Sequence, residues 1–398
     1  MTWRTSLKER IEKEYIHNPS QEWFYLYHST FGSLDIAIVS DQFINLSRGE
    51  REERIKDLLS QLDLTFKGGM RMLYTPEEAR RDDFTLAGLE GRLPTFTWLD
   101  LVFLAANLDE HELLDRREPR NPRTIAFYSF KGGVGRTTAL IHVAWILAMQ
   151  GHKVVAVDLD LEAPGLASAF NLSSDLPYGI ADYLEDRAHL TKDLEPQVSV
   201  AQIVKEVSIP NASGSLFVVP AGNLSLDYIA MVYILRPSVV RLGKDPWTFF
   251  FEDINCYLQP DIILVDSHSG INKWGAFSLL QAADEALIFL YPDQQNTQGV
   301  DLVLKALAGK IGVQLVFSPV PSDEFVQKAV AEQWSLLQQG HTDILTLPIK
   351  GELAEGSESR IAGNPPIIVP YLKDLERASS FPILPLASHY MRIANVIC

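Results

Sequence analysis

The stretch Thr124 to Asp160, TIAFYSFKGGVGRTTALIHVAWILAMQGHKVVAVDLD, constrains the fold of this chain more than any other. Ile125 to Phe130 is a short apolar and aromatic run, the composition of a strand buried on both faces of a parallel sheet. From Thr138 to Met149 the pattern becomes helical and rich in Ala and Leu. Between them lies Lys131-Gly132-Gly133-Val134-Gly135-Arg136-Thr137-Thr138. Its glycines permit a tight turn that brings backbone N–H groups close to an anion. Ending such a turn at a helix N-terminus adds partial positive charge, so the loop is expected to hold phosphate. A second apolar strand, Lys153 to Val157, then delivers Asp158 and Asp160 beside the loop, the layout a magnesium nucleotide needs.

The general phosphate-loop pattern G-x-x-x-x-G-K-[ST] is broken twice, by Phe130 at its first Gly and Arg136 at its Lys. What remains, KGGVGRTT, resembles the deviant Walker A motif K-G-G-x-G-K-T-T of ParA/MinD-type P-loop ATPases. With the following Asp158-Leu159-Asp160-Leu161-Glu162-Ala163-Pro164-Gly165-Leu166, it resembles a KGGVGR subgroup that accompanies bacterial signalling or defence modules, antiviral defence included. The resemblance implies ATP and Mg²⁺ as cofactors. It implies a nucleotide cradle of Lys131, Gly132, Gly133, Val134, Gly135, Arg136, Thr137 and Thr138, with Arg136 as the chain's own catalytic cation. Thr137, Asp158, Asp160 and Asp266 would surround the metal, and Asp160 would orient the attacking water. Lys131 would reach across an ATP-dependent homodimer to the partner's nucleotide. Read from the residues alone, the two aspartates can instead cap the next helix, and Lys131 can instead pair with a local carboxylate.

Further strand-like runs at Leu216–Pro220, Asp261–Asp266, Ala286–Tyr291, Val313–Val320 and Leu345–Ile349 alternate with helical segments such as Trp247–Leu258 and Gly299–Ala308. Val198–Val207 reads as a variable strand, and Asp293-Gln294-Gln295-Asn296 as a loop before its helix. This pattern predicts an α/β domain over 124–398, a doubly wound, mostly parallel sheet with ligand at the strand C-termini. Asp261 to Gly270 resembles Walker B with switch II. His268 stands beside Ser267 and Ser269 without a G-x-S-x-G elbow, which makes it a switch residue rather than part of a hydrolase triad. The tail Ser379–Cys398 is apolar, carries Pro382 and Pro385, and has little charge; it is expected to pack on the sheet rather than lie on a membrane.

Residues 1–75 read as a small α+β module. Its helix Thr5–Tyr15 is followed by a hairpin of Glu22–Ser29 and Leu34–Ser40, a helix Ser47–Leu62 and a strand Met70–Tyr74. Ser47 with Glu50 is a capping-box pattern. Ser40-Asp41-Gln42-Phe43, Leu46-Ser47-Arg48 and Glu50-Arg51 resemble a stretch of BolA-like domains; Glu52 stands where that family can carry a histidine, so no chemistry is carried over. An unrelated module with a solvated charged helix fits the same residues. Residues 76–123 form a helical connector, with Phe96–Leu108 as its main helix, and a basic linker, Arg116–Arg123, expected to be solvated.

A net charge of −16 weighs against DNA or an anionic membrane as partner. Two cysteines, Cys256 and Cys398, leave no disulfide framework and no cysteine-ligated cluster. With no signal peptide or apolar span, a cytoplasmic setting is expected. The expected function is an ATP-binding, ATP-hydrolysing dimerisation switch that controls a protein partner through the N-terminal module. Hydrolysis would be slow or partner-stimulated, because Arg keeps the charge of the usual Lys but not its geometry. A DNA-partitioning ATPase and a non-hydrolysing nucleotide-bound scaffold are the alternatives.

Overall fold

A computed structural model describes residues 3–28, 34–64, 71–82, 84–86, 98, 120–172, 177–190, 195–235, 245–307, 311–341, 345, 365–377 and 384–397. They divide into two units, one holding the described residues up to 86 and the other holding 98 and everything from 120 onward.

In the first unit α1 (Trp3–Tyr15), β1 (Trp23–His28), β2 (Leu34–Val39), α2 (Arg48–Gln61), β3 (Arg71–Tyr74) and α3 (Pro76–Arg81) follow in order. β2 lies between its neighbours, antiparallel to β1 and parallel to β3. The parallel pairing follows from connectivity, since α2 carries the chain back across the sheet before β3 begins. Leu7 and Ile11 of α1, Ile36 and Ile38 of β2, and Ile55 and Leu58 of α2 form the core. The expected capping box is present, with Ser47 accepting from the Glu50 N–H and Glu50 accepting from the Ser47 N–H at 2.7 Å. Thr75 and Glu78 make a second box that starts α3. Glu78 also receives both terminal nitrogens of the buried Arg51, at 2.6 and 2.9 Å.

The second unit contains β4 (Arg123–Ser129), α4 (Arg136–Met149), β5 (Lys153–Leu159), α5 (Leu166–Ala169), α6 (Ile180–Ala188), α7 (Val200–Ile203), β6 (Lys205–Val207), β7 (Ser215–Val219) and α8 (Leu226–Ile234). It continues with α9 (Pro246–Leu258), β8 (Ile262–Ser267), α10 (Lys273–Phe277), β9 (Glu285–Leu290), α11 (Gln294–Leu307), β10 (Gly312–Val320), α12 (Glu324–Gly340), β11 (Ile367–Pro370) and α13 (Met391–Ile397). The strand order is β11-β10-β9-β4-β8-β5-β7-β6. Among the described strands of this sheet only the β6–β7 pairing is antiparallel.

Side chains alternate across such strands, and here both faces are covered. Ile125 and Phe127 of β4 join Leu140, Val143 and Leu147 of α4 and Ile393 of α13 on one face. Ala126 and Tyr128 face the other way, with Val300 and Leu304 of α11. On that second face, farther along the sheet, Val155 and Ile263 meet Tyr183 of α6 and Trp247 and Phe250 of α9. The sheet is therefore doubly wound and mostly parallel, as its sequence pattern requires.

Several elements differ from the sequence reading. Val198–Val207 is not one strand but α7 followed by the three-residue β6. α11 begins at Gln294, not Gly299, because the Asp293 carboxylate accepts the Asn296 N–H at 2.7 Å and so caps the helix. Apart from Leu345, the strand expected at Leu345–Ile349 lies outside the described residues, as does Phe96–Leu108 apart from Trp98. The tail packs against the sheet domain as expected: Tyr390 stacks on His142 of α4 at 4.5 Å, Ile393 shares a core with Ile367 and Val369 of β11, and Arg123 of β4 donates to the Ile397 carbonyl. At the linker's end Arg120 and Arg123 are not solvated: Arg120 donates to Asp284 at 2.9 Å and to the Ala282 carbonyl, and Arg123 pairs with Glu285 at 3.4 Å. Both cations neutralise carboxylates at the base of the sheet. No helix among the described residues is long and apolar enough to cross a membrane.

The hydrogen bonds from Arg51 hold the Glu78 carboxyl at about 2, below its ordinary 4.5. A lowered carboxyl stabilises the fold above its unfolded value, and that contribution disappears as the pH falls from about 4.5 towards 2. Glu78→Gln is expected to destabilise the N-terminal unit by about 1–2 kcal/mol at pH 7 in urea unfolding. The difference from the parent should shrink steadily through that acid window.

Candidate functional site

The loop between β4 and α4 takes the shape its glycines allow. Gly133 and Gly135 have φ of 78° and 77°, values that disfavour any side chain, and Gly135 is the N-cap of α4. α4 starts at Arg136, so its first-turn N–H groups point out of the helix beside the loop. β10 closes one side, where a Cβ on Gly135 would come within 3.2 Å of Ser318 Oγ. Phe130, at the position of the general motif's first glycine, packs on α11 at Gly299, where an added Cβ would overlap its ring. Thus the side chain that breaks the general motif fastens the loop to the next helix.

Beneath the loop, the ends of β5 and β8 bring three carboxylates together. Asp158 and Asp266 are fully buried, and Asp160 is 8% exposed. Arg136 Nε donates to Asp266 Oδ1 at 2.7 Å, and its Nη2 donates to Asp160 Oδ2 at 2.6 Å. Thr137 Oγ1 donates to Asp266 Oδ2 at 2.7 Å. His268 Nδ1 lies 2.5 Å from Asp160 Oδ1, and its Nε2 is 3.7 Å from Glu162. Asp158 is spent on backbone amides, accepting from Gly165 and Leu166 at 3.0 and 2.9 Å and from Asp160 at 3.2 Å. It therefore caps α5, the alternative the sequence left open.

Electrostatics follow from burial. Burial raises the Asp158 carboxyl well above its ordinary value, and neighbouring Asp266 adds to this. Burial also raises Asp266, against the lowering effect of the Arg136 charge. For Asp160 burial pushes upward, but the His268 hydrogen bond and Arg136 together outweigh it and hold the carboxyl low. The same hydrogen bond raises His268 and favours its imidazolium form. Arg136 and His268 thus answer to Asp160 and Asp266, while Asp158 is held by backbone amides. Thr137, Asp160 and Asp266 offer only oxygen donors, the set that suits a hard cation such as Mg²⁺. Among the described residues no group of three or more His, Cys, Asp and Glu forms a ready-made cage.

Lys131 is exposed, and its Nζ donates to Gln295 Oε1 at 2.9 Å. Its observed partner is a neutral amide on α11. Gln295 was missed in the sequence because Asp293-Gln294-Gln295-Asn296 read as loop; the Asp293 cap was the available signal. The sequence marks His268 as a switch residue, and its contact with Asp160 arises from β5 and β8 lying side by side. Two further anchors are tertiary in origin. Tyr228 OH on α8 donates to the Leu161 carbonyl at 2.8 Å, and Lys273 Nζ donates to the carbonyls of Val232, Tyr233 and Leu235 at 3.0–3.2 Å.

Gly299→Ala should force Phe130 off α11 and destabilise the second unit by about 1–3 kcal/mol in denaturant unfolding. Combined with Phe130→Ala, the loss should fall short of the sum of the two single losses by at least ~0.5 kcal/mol.

Several known proteins are similar to this chain. The AAA domain family matches residues 122–311, just under half of the chain. A putative replication protein A of Rhizobium rhizogenes is 26% identical over 194 residues, 48% of this chain and 45% of that protein. The septum site-determining protein MinD of Escherichia coli K12 is 29% identical over 188 residues, 47% of this chain and 60% of MinD. The chain thus spans about half the length of these relatives. Among solved structures, a putative plasmid partition protein of Borrelia burgdorferi B31 bound to AMPPNP has a TM-score of 0.48 at 15% identity, over 70% of this chain and 98% of that one. MinD of Aquifex aeolicus has a TM-score of 0.41 at 21% identity, over 68% and 95%. Residues 122–311 are thus similar to the AAA domain family and to stretches of MinD and of putative replication protein A.

Proposed function

We propose that the chain is an ATP-binding and ATP-hydrolysing dimerisation switch of ParA/MinD type. The observation that carries this reading is the glycine loop at the head of α4, with the oxygen donors of Thr137, Asp160 and Asp266 directly beneath it. Amide N–H groups from Gly133 to Thr137 cradle the phosphates, and Thr137 with Asp266 and Asp160 flanks the metal. Bound Mg²⁺ neutralises charge on the phosphoryl oxygens. Asp160 orients the attacking water. Lys131 is exposed and bound to a neutral amide, so transferring it to the nucleotide of a second copy separates no ion pair. The N-terminal unit recruits the protein partner whose binding follows nucleotide state. The KGGVGR resemblance extends the setting to bacterial signalling or defence.

One observation favours a second reading, a scaffold that holds nucleotide without hydrolysing it. Both Asp160 oxygens are already engaged, one by Arg136 and one by His268. Phosphate release separates the two. Under the switch reading, Asp160→Asn lowers ATP turnover at least about 100-fold while ATP binding persists. Under the scaffold reading, turnover is absent in the parent and the substitution changes nothing.

Light scattering should show the mass doubling with Mg-ATP and not with Mg-ADP. Lys131→Ala should remain monomeric while still binding ATP. An unchanged mass under both nucleotides would overturn the switch.

A further inference from the structure

A cation whose task is to touch phosphate has no need to be buried among carboxylates, yet Arg136 is only 8% exposed. Its fork bridges two acids that arrive from different strands, Asp266 at the end of β8 and Asp160 just beyond β5. Asp266 Oδ2 and Asp160 Oδ1 are held in turn by Thr137 and His268. Every carboxylate oxygen a metal would use here already accepts a hydrogen bond, and two of the four come from one fixed positive charge. Buried carboxylates without such a partner would be strongly destabilising. A lysine at this position offers one compact ammonium, whereas the planar guanidinium bridges both acids at once.

We propose that Arg136 is the resident counter-ion of the metal site. Its guanidinium occupies Asp160 and Asp266, and it gives them up only when the magnesium nucleotide arrives. This rests on the nucleotide reading above and specifies how that site is regulated. The guanidinium leaves the two acids as a divalent cation reaches them, and the incoming phosphates offer it a new anionic partner. Without phosphate, releasing Arg136 strands its charge, so free metal is excluded. Without metal, releasing it strands the two acids, so bare nucleotide binds poorly. Metal and nucleotide therefore enter together, each raising the affinity for the other by the same factor. His268 keeps hold of Asp160 through the exchange, so the acid stays in place when Arg136 departs. Asp160 becomes available to a water only after the exchange.

The test uses the full-length chain and Mn²⁺ as the probe, with the free aquo-ion followed by electron paramagnetic resonance. Without nucleotide, the parent is expected to leave Mn²⁺ largely free. Arg136→Gln, which retains the length and polarity but not the charge, should bind Mn²⁺ alone at least tenfold more tightly. Arg136→Lys keeps the charge while losing the bridge, and should fall between them. It also serves as the reporter if the glutamine variant does not fold. Mn²⁺ binding to either folded variant no tighter than to the parent would overturn the proposal. The nucleotide reading fails separately: in that case ADP or ATP with the parent would remove no more free Mn²⁺ than the same nucleotide does without protein, whatever the variants do with metal alone.

Discussion

The bridge from Arg136 to Asp160 and Asp266 is the interaction on which the functional half of this structure depends. It connects the head of α4 with the end of β8 and the turn after β5, segments far apart in sequence and neighbours only because the sheet is parallel. In a parallel sheet the C-terminal strand ends lie on one edge, so loops that carry charge meet there whether or not they attract one another. Burial makes that meeting consequential. Each carboxylate must be neutralised from within the protein or by what binds, and a single guanidinium does part of the work for two of them.

The surrounding elements restrict what that network can do. Phe130 against Gly299 fixes the loop to α11, and α11 also presents Gln295 to Lys131. On the opposite side α8 is fastened to the loop after β5 through Tyr228 and to the start of α10 through Lys273. The acids and the two cations of the phosphate loop are thus held by helices from both sides of the site.

Much of this was legible in the sequence because it is local. The glycine loop, the Ser47–Glu50 box and the apolar strand cores each depend on residues within a few positions of one another. Misread segments had local signals outweighed or overlooked. Asp293 caps α11 inside what looked like loop, and Val198–Val207 breaks into a helical turn and a three-residue edge strand. The basic linker looked solvated because Asp284 and Glu285, which pair with Arg120 and Arg123, lie about 160 residues away.

The sequence by itself determined that a strand, a glycine loop and a helix would follow one another, with acids at the ends of neighbouring strands. Backbone conformation and periodicity are short-range properties, and these residues specify them directly. Only the tertiary structure decided where each charge is spent: Arg136 on two acids rather than on open solvent, Asp158 on backbone amides, His268 on Asp160, and Lys131 on a neutral amide. Those choices depend on which strand lies beside which, and on the penalty for leaving a buried charge alone, neither of which spacing along the chain encodes.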